Sequence, residues 1–171
     1  EHSDVPVAEV VYPGAVAACN ATKNGKIGII ATPATVSSGL YETAVRQAGK
    51  DLQNLEIIQQ ACPLFVSLAE EGWWDDEIAV MTTERYLKPV KEFGVDTLVL
   101  ACTHYPLLAG TISRFMGPDV TLINSGISVA SVVRNKLIEN NMMSDGSSVT
   151  REFYTSDDAA MFESVAAPFL G

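Results

Sequence analysis

The chain has few cysteines, few positive charges and no long apolar run, and each shortage excludes a class of protein. Its three cysteines lack CxxC spacing, so they predict neither a disulfide framework nor a zinc site and favour a reducing cytoplasm. Eleven Lys and Arg stand against 21 Asp and Glu, a net charge of −10, whereas nucleic acid or an anionic membrane would require a basic face. No apolar run approaches the ~20 residues of a membrane span.

Apolar residues are nevertheless plentiful enough for a core, because 47% of the 171 residues are hydrophobic. Short β-prone runs alternate with helical patterns, and Pro13-Gly14 and Asn24-Gly25 mark the ends of the first helix. This alternation predicts an α/β fold, in which a parallel sheet is flanked by helices. Strands are predicted near 7–11, 26–31, 55–59, 96–101, 119–123 and 152–155, and helices near 14–23, 35–48, 63–71, 77–93, 106–116, 126–140 and 158–167.

The most informative segment runs from Asp96 to Leu108. Its apolar run ends at Cys102-Thr-His104, which is typical of a buried parallel strand with reactive side chains at its carboxyl end, where open α/β sheets place ligand sites. A thiol two positions from an imidazole indicates that Cys102 works as a thiolate, because nearby cations or donors lower a thiol pKa from its usual value of about 8.5. The alternative is that Cys102 and His104 are packing residues of the core.

Other positions allow two interpretations each. Thr32 and Thr35 follow the predicted strand 26–31, where free N–H groups can meet an anion, but Thr35 or Ser37 could equally cap the next helix. Trp73-Trp74 most resembles a loop anchor or an interface patch. Cys19, late in a helix, and Cys62, before a proline, are interpreted as structural.

Four segments, in this order along the chain, resemble the cofactor-independent glutamate racemases of the aspartate/glutamate racemase superfamily. The last of them is similar to that family's second cysteine motif. The segments are Val5-Pro-Val-Ala-Glu-Val-Val-Tyr-Pro-Gly-Ala15, Ala21 to Thr32 with Thr35 and Ser38-Gly-Leu-Tyr41, Ala61-Cys-Pro-Leu-Phe-Val-Ser-Leu-Ala-Glu-Glu-Gly72, and Ala101-Cys-Thr-His-Tyr-Pro-Leu-Leu108.

The resemblance implies a two-base interconversion of L- and D-glutamate, without cofactor or metal, that supplies D-glutamate for peptidoglycan in a bacterial cytoplasm. It assigns Cys102 as the base acting on L-glutamate and places Thr103 and His104 in the substrate site. Glu70 matches the acidic partner of that histidine, although most glutamates at a helix end are simply solvated. Together with this site, Thr32 and Thr35 are expected to contact the substrate.

The resemblance also implies two interleaved domains. Residues 8–117 would form a complete α/β domain, and residues 118–171 the C-terminal return of an incomplete second α/β domain. The family's N-terminal third, with an Asp-Ser-Gly loop and a Cys-Asn-Thr motif, has no counterpart here, since Cys19-Asn20-Ala21-Thr22 lies in a predicted helix. We therefore expect a fragment that is inactive alone, and its uncovered apolar surface predicts association, with a homo-oligomer as one outcome.

Three other functions remain open at this point. An aspartate or hydantoin racemase would share the superfamily's pattern. A Cys-His hydrolase with Cys102 as nucleophile would need an oxyanion hole and an orienting third group, which the sequence does not specify. A non-catalytic binding or regulatory fragment would need neither base.

Overall fold

The computed structural model describes residues 7–146, 148, 150–156 and 158–170. The chain divides into two compact units, Glu1–Val133 and Arg134–Gly171. The first unit contains the strands β1 (Lys26–Ala31), β2 (Glu56–Ala61), β3 (Thr97–Leu100) and β4 (Thr121–Asn124). Its helices are α1 (Val11–Ala21), α2 (Pro33–Ser38), α3 (Leu40–Ala48), α4 (Leu64–Glu70), α5 (Glu77–Phe93) and α6 (Ala109–Met116), with a 3₁₀ turn at Tyr105–Leu108; α7 (Ser125–Glu139) and α8 (Ala159–Leu170) follow.

The four strands form one parallel sheet in the order β2-β1-β3-β4. Ile27 of β1 lies opposite Ile57 on one side and Thr97 on the other, and Thr97 lies opposite Thr121. The predicted parallel sheet flanked by helices is therefore confirmed.

Both faces of this sheet are covered, which explains the nearly continuous apolar strands. Because side chains alternate along a strand, Ile27 and Ile29 pack with α1 and α3 on one face, whereas Ile30 points into a second core on the other. In that second core Leu98 and Leu100 of β3 meet side chains of α4, α5 and α6. The central strands β1 and β3 are thus fixed by burial on both sides.

The strand order places a switch point between β1 and β3. The chain leaves β1 through α2 and α3 to reach β2, but it leaves β3 through the 3₁₀ turn and α6 to reach β4. The two connections lie on opposite faces of the sheet, since α3 packs against α1 and α6 packs against α5. Such a divergence opens a crevice beyond the carboxyl ends of the two strands, where open α/β sheets bind their ligands.

At the opposite, amino edge of the sheet the carboxylate of Asp96 ties the α1–β1 turn to β3. One of its oxygens accepts hydrogen bonds from the hydroxyls of Thr22 (2.6 Å) and Thr97 (3.0 Å), and the other from the amides of Lys23 (2.6 Å) and Asn24 (2.7 Å). Burial raises the pKa of the Asp96 carboxyl, but these four donors lower it by more, so the pKa lies below its ordinary value. This end of the sheet is cross-linked by hydrogen bonds.

Two predicted strands are wrong. The segment predicted as strand 7–11 leads directly into α1, because the carboxylate of Glu9 accepts from the amides of Val11 (2.6 Å) and Tyr12 (3.1 Å) and so starts the helix before Pro13. Residues 152–155 form no strand, since a strand needs a neighbour and none pairs with this segment among the described residues.

Two predicted helices begin or continue differently from the expectation. The helix predicted at 35–48 is interrupted at Gly39, whose φ of 65° ends α2 and precedes α3. The helix predicted at 106–116 begins as the 3₁₀ turn. The remaining predicted elements are present with boundaries shifted by a few residues.

The compact first unit extends beyond the predicted domain boundary at 117. β4, expected in the returning segment, pairs with β3 in the same sheet, so it belongs to the unit that ends at Val133. An incomplete second α/β domain over 118–171, and association through its apolar surface, stay predictions. No helix within the described residues combines the length and the apolar character needed to cross a membrane.

Candidate active site

Cys102 lies two residues past Leu100, the last residue of β3, at the carboxyl edge of the sheet. The amide of Ala101 still donates to the carbonyl of Ile30 (2.9 Å), so the strand geometry continues up to the cysteine. The cysteine side chain is half-buried against the core of α4 and α6. It is therefore held by the sheet and partly exposed to solvent.

Burial raises the pKa of the Cys102 thiol, and the amides of His104, Tyr105 and Thr103 lower it back only in part. The expectation of a pKa below the ordinary value is therefore wrong for this structure. Desolvation by the surrounding apolar side chains outweighs the backbone donors. The thiol needs a base to become a thiolate near neutral pH.

His104 lies between the thiol and a carboxylate. Its Nδ1 is 3.8 Å from Sγ of Cys102 and 3.5 Å from Oγ1 of Thr103, and its Nε2 is 3.5 Å from Oε1 of Glu70. A carboxylate only accepts hydrogen bonds, so a ring that carries its hydrogen on Nε2 would present a donor to Glu70 and an acceptor, Nδ1, to the thiol. The structure thus brings Cys102, Thr103, His104 and Glu70 together, and their catalytic and substrate-binding roles stay predictions.

Glu70 reaches this position from the last turn of α4, and the end of that helix is closely defined. Gly72 adopts a φ of 76°, its amide donates to the carbonyl of Ala69 (3.2 Å), and the amide of Trp73 donates to that of Leu68 (2.9 Å). This pair of bonds is a Schellman motif, in which glycine supplies the left-handed residue. The helix end therefore fixes the backbone from which Glu70 extends.

Thr32 and Thr35 lie beyond the end of β1, the strand next to β3. The Oγ1 atoms of the two threonines are 3.0 Å apart, and Thr32 Oγ1 also accepts from the Thr35 amide (3.4 Å). Thr32, rather than Thr35 or Ser37, is the N-cap of α2, with Pro33 following it. The structure places both threonines at the carboxyl edge, with Thr32 as the cap and Thr35 bonded to it, and their contact with a substrate stays a prediction.

The other two cysteines are buried. Cys19 packs between α1 and α3, and its thiol lies 3.5 Å from the carbonyl of Val45. Cys62 is fully buried, and its carbonyl accepts a hydrogen bond from the hydroxyl of Tyr105 (2.9 Å). Burial raises the pKa of both thiols. Their interpretation as structural residues agrees with these surroundings.

A buried hydroxyl pair near the cysteine was missed by the sequence analysis. The hydroxyl of Tyr41 on α3 donates to Oγ of Ser125, the residue that follows β4 (3.1 Å). Burial raises the pKa of Tyr41, the Ser125 contact lowers it, and the nearby charges of Glu9 and Cys102 raise it further. A tyrosine soon after the β1 loop and a serine directly after a strand were the available signals, but nothing local indicated that they meet.

A parallel sheet with a thiol, an imidazole and a carboxylate at its switch point defines an α/β protein with a candidate proton-transfer site. Within the part of the chain that the structure describes, no group of three or more His, Cys, Asp and Glu side chains is arranged to hold a metal ion. Acid–base chemistry by side chains is what this arrangement offers.

The Asp/Glu/Hydantoin racemase family matches residues 1–132, and the chain belongs to this family. The chain is 40% identical over 168 residues to a glutamate racemase from Geobacter metallireducens, which covers 98% of this chain and 61% of the relative. It is 43% identical over 173 residues to a glutamate racemase from Mycobacterium leprae, covering 100% and 62% respectively. The chain thus spans less than two thirds of the length of these curated relatives.

Solved structures give the same result. A glutamate racemase isoform from Bacillus anthracis superposes with a TM-score of 0.91 at 33% identity, over 99% of this chain and 62% of that one. A glutamate racemase from Francisella tularensis, solved in complex with D-glutamate, superposes with a TM-score of 0.87 at 30% identity, over 98% and 61%. The resemblance drawn from the sequence is confirmed.

Proposed function

We propose that this chain is the part of a glutamate racemase that carries one of its two proton-transferring groups. The observation that carries the proposal is the chain of contacts from Cys102 through His104 to Glu70 at the carboxyl edge of β3. The names of the relatives, including one solved with D-glutamate, support glutamate as the substrate.

The proposed chemistry begins with the thiol. His104 Nδ1 accepts the proton of Cys102, and the imidazolium that forms is stabilised by Glu70 beside Nε2. The thiolate then takes the proton from Cα of L-glutamate, and the carbanion receives a proton on its opposite face. In the reverse direction Cys102 returns its proton to Cα. Because burial raises the pKa of Cys102, the thiol is deprotonated only when His104 accepts its proton, which is the role proposed for His104 here.

The remaining roles follow from position. Thr103, exposed beside Cys102, and the paired hydroxyls of Thr32 and Thr35 are proposed to contact the substrate. The opposite face of Cα needs a second proton-transferring group, which the family resemblance assigns to a Cys-Asn-Thr motif that this chain does not contain. The reaction requires only these two groups, so we propose that it uses no pyridoxal phosphate or metal.

The cellular role is part of the same proposal. A glutamate racemase of a bacterial cytoplasm would supply D-glutamate for peptidoglycan. Its partner is the small-molecule substrate, and with a net charge of −10 we expect neither nucleic acid nor a membrane surface as a partner. Association of copies through apolar surface remains a further expectation.

Deuterium incorporation at Cα from D₂O, with optical rotation, tests the proposal for each glutamate enantiomer. We compare the 171-residue chain with the whole protein that its gene encodes. The whole protein should racemise glutamate, and Cys102→Ala should abolish this, whereas Cys19→Ala should leave it intact as a matched thiol control. The 171-residue chain alone should show no exchange, because one face of Cα lacks its proton donor and water is not excluded.

Several outcomes would contradict the proposal. Racemisation of aspartate but not glutamate by the whole protein would assign another substrate. A burst of product from an acyl substrate would indicate a Cys-His hydrolase. Full racemisation by the 171-residue chain, lost in Cys102→Ala, would show a second base within it.

A further inference from the structure

The loop between α4 and α5 is hydrogen-bonded to two helices near the candidate site, α4 and α6. It begins directly after Glu70 and contains the Trp73-Trp74 pair. The indole Nε1 of Trp74 donates to the carbonyl of Ala69 (3.0 Å), which is the residue before Glu70. The side chain of Trp74 thus folds back onto the turn of α4 from which Glu70 extends.

The second fastening joins the same tryptophan to α6. The carbonyl of Trp74 accepts a hydrogen bond from the hydroxyl of Thr111 (2.7 Å), and Thr111 is only 3% exposed. Arg114, one turn further along α6, donates to the same hydroxyl (2.8 Å). Thr111 therefore has both its donor and its acceptor capacity engaged, which fixes its side-chain rotamer.

These two contacts connect the backbones that carry Glu70 and His104. α6 continues directly from the 3₁₀ turn whose N-cap is His104, and α4 ends at Glu70. Two hydrogen bonds, from Trp74 to Ala69 and from Thr111 to Trp74, therefore join the helix that ends at Glu70 to the helix that follows the His104 turn. The carboxylate itself is 42% exposed, so its own burial does not fix its position.

We propose that Trp74 and Thr111 are positioning residues that hold Glu70 against Nε2 of His104. The consequence is a fixed tautomer: with Nε2 kept protonated by the carboxylate, Nδ1 is the acceptor that faces Cys102. The proposal rests on the proposed function for its catalytic meaning, but its geometry is independent of activity. It also gives Trp74 the role of a loop anchor rather than an interface patch.

The test is a ¹⁵N NMR measurement of the imidazole nitrogens, which report the tautomer directly, on the full 171-residue chain. The chain has only two histidines, and His104→Gln identifies the signals of His104. Glu70→Gln supplies the reference spectrum for a ring without its carboxylate. Trp74→Phe removes the indole donor but keeps an aromatic ring, Thr111→Val removes the hydroxyl at equal volume, and Thr111→Ser restores the hydroxyl.

A matched control comes from the far edge of the sheet. Thr22→Val deletes a threonine hydroxyl that donates to Asp96 and so lowers stability without touching this site. We expect Trp74→Phe and Thr111→Val to shift the His104 nitrogen signals toward those of Glu70→Gln. Thr111→Ser should recover the parent signals, and Thr22→Val should leave them in place although its melting temperature falls.

Each other outcome overturns the proposal. Unchanged His104 signals in Trp74→Phe and Thr111→Val would show that the loop contacts only stabilise the fold. An equal shift in Thr22→Val would show a general loosening, and unchanged signals in Glu70→Gln would show that the carboxylate does not set the tautomer. None of these measurements needs turnover, so they fail or succeed separately from the Cα exchange assay.

Discussion

Cys102 should be the first cysteine of this chain to react with an alkylating reagent. It is half-buried at the carboxyl edge of the sheet, whereas Cys19 is 8% exposed and Cys62 is 0% exposed. Alkylation needs both a thiolate and physical access for the reagent. Burial raises the pKa of all three thiols, so access is the requirement that favours Cys102 over the buried Cys19 and Cys62.

The pH dependence of this reaction follows from the surroundings of the thiol. A simple peptide thiol with a pKa of about 8.5 is roughly 3% thiolate at pH 7. Because burial raises the pKa of Cys102, its thiolate fraction at pH 7 lies below that figure. We expect alkylation slower than that of a simple peptide thiol at pH 7, with a rate that increases about tenfold per pH unit up to at least pH 8.

The assay is iodoacetamide labelling from pH 7 to pH 10, followed by peptide mapping at each time point. Cys102→Ala should remove the fast phase, and in denaturant all three cysteines should react at similar rates. Preferential labelling of Cys19 or Cys62 in the native chain would refute the assignment. Labelling of Cys102 at pH 7 faster than a simple peptide thiol would refute the argument from burial, because it would require a thiolate that already exists.

Three further predictions concern the scaffold around the site, each measured by urea unfolding. Asp96→Asn should lower the free energy of unfolding at pH 7 by about 1–3 kcal/mol, because two of the four donors lose their acceptor. Folding lowers the pKa of Asp96, so its carboxylate stabilises the fold above the unfolded value of about 3.9, and this stabilisation is lost as the pH falls through the folded value. The difference in unfolding free energy between variant and parent should therefore shrink toward pH 2. A difference that stays constant with pH would contradict this account. Gly28→Ala should cost about 1–3 kcal/mol, since the new Cβ would lie 2.8 Å from a methyl carbon of Leu98 in a closed core, and an unchanged midpoint would show that the core gives way. Tyr41→Phe should cost about 1 kcal/mol through the lost contact with Ser125, and no loss in this variant would mean that the buried hydroxyl of Ser125 finds another partner.

The sequence predicted the sheet because its strands are short apolar runs between amphipathic helices. Burial on both faces of the sheet requires such continuous apolar runs. It failed where the deciding contact is a side chain outside the pattern. Glu9 starts α1 early by accepting from the amides of Val11 and Tyr12, whereas the sequence pattern placed the helix start at Pro13-Gly14. The segment 152–155 has β-prone residues but pairs with no neighbour among the described residues, and local composition cannot supply a neighbour.

For the candidate site, the pattern was sufficient only where the residues are close in sequence. Cys102 and His104 belong to one motif at one strand end, so their contact followed from the strand. Glu70 was found only through the family resemblance, because the fold brings it from another helix. The raised pKa of Cys102 was not predicted, since it depends on how much apolar surface α4 and α6 place around the thiol.

The central position of β3 has a consequence for the order in which the molecule becomes competent. Its partner β1 is about seventy residues earlier in the chain, and Ile27 meets Thr97 only after that long loop has closed. Contacts of such sequence separation form slowly, and the entropy of closure is compensated only when the strands pair. The thiol therefore acquires its desolvated surroundings late, and we expect a nascent or half-folded chain to carry an ordinary exposed cysteine. Its reactivity is a kinetic reporter of the moment when the sheet closes.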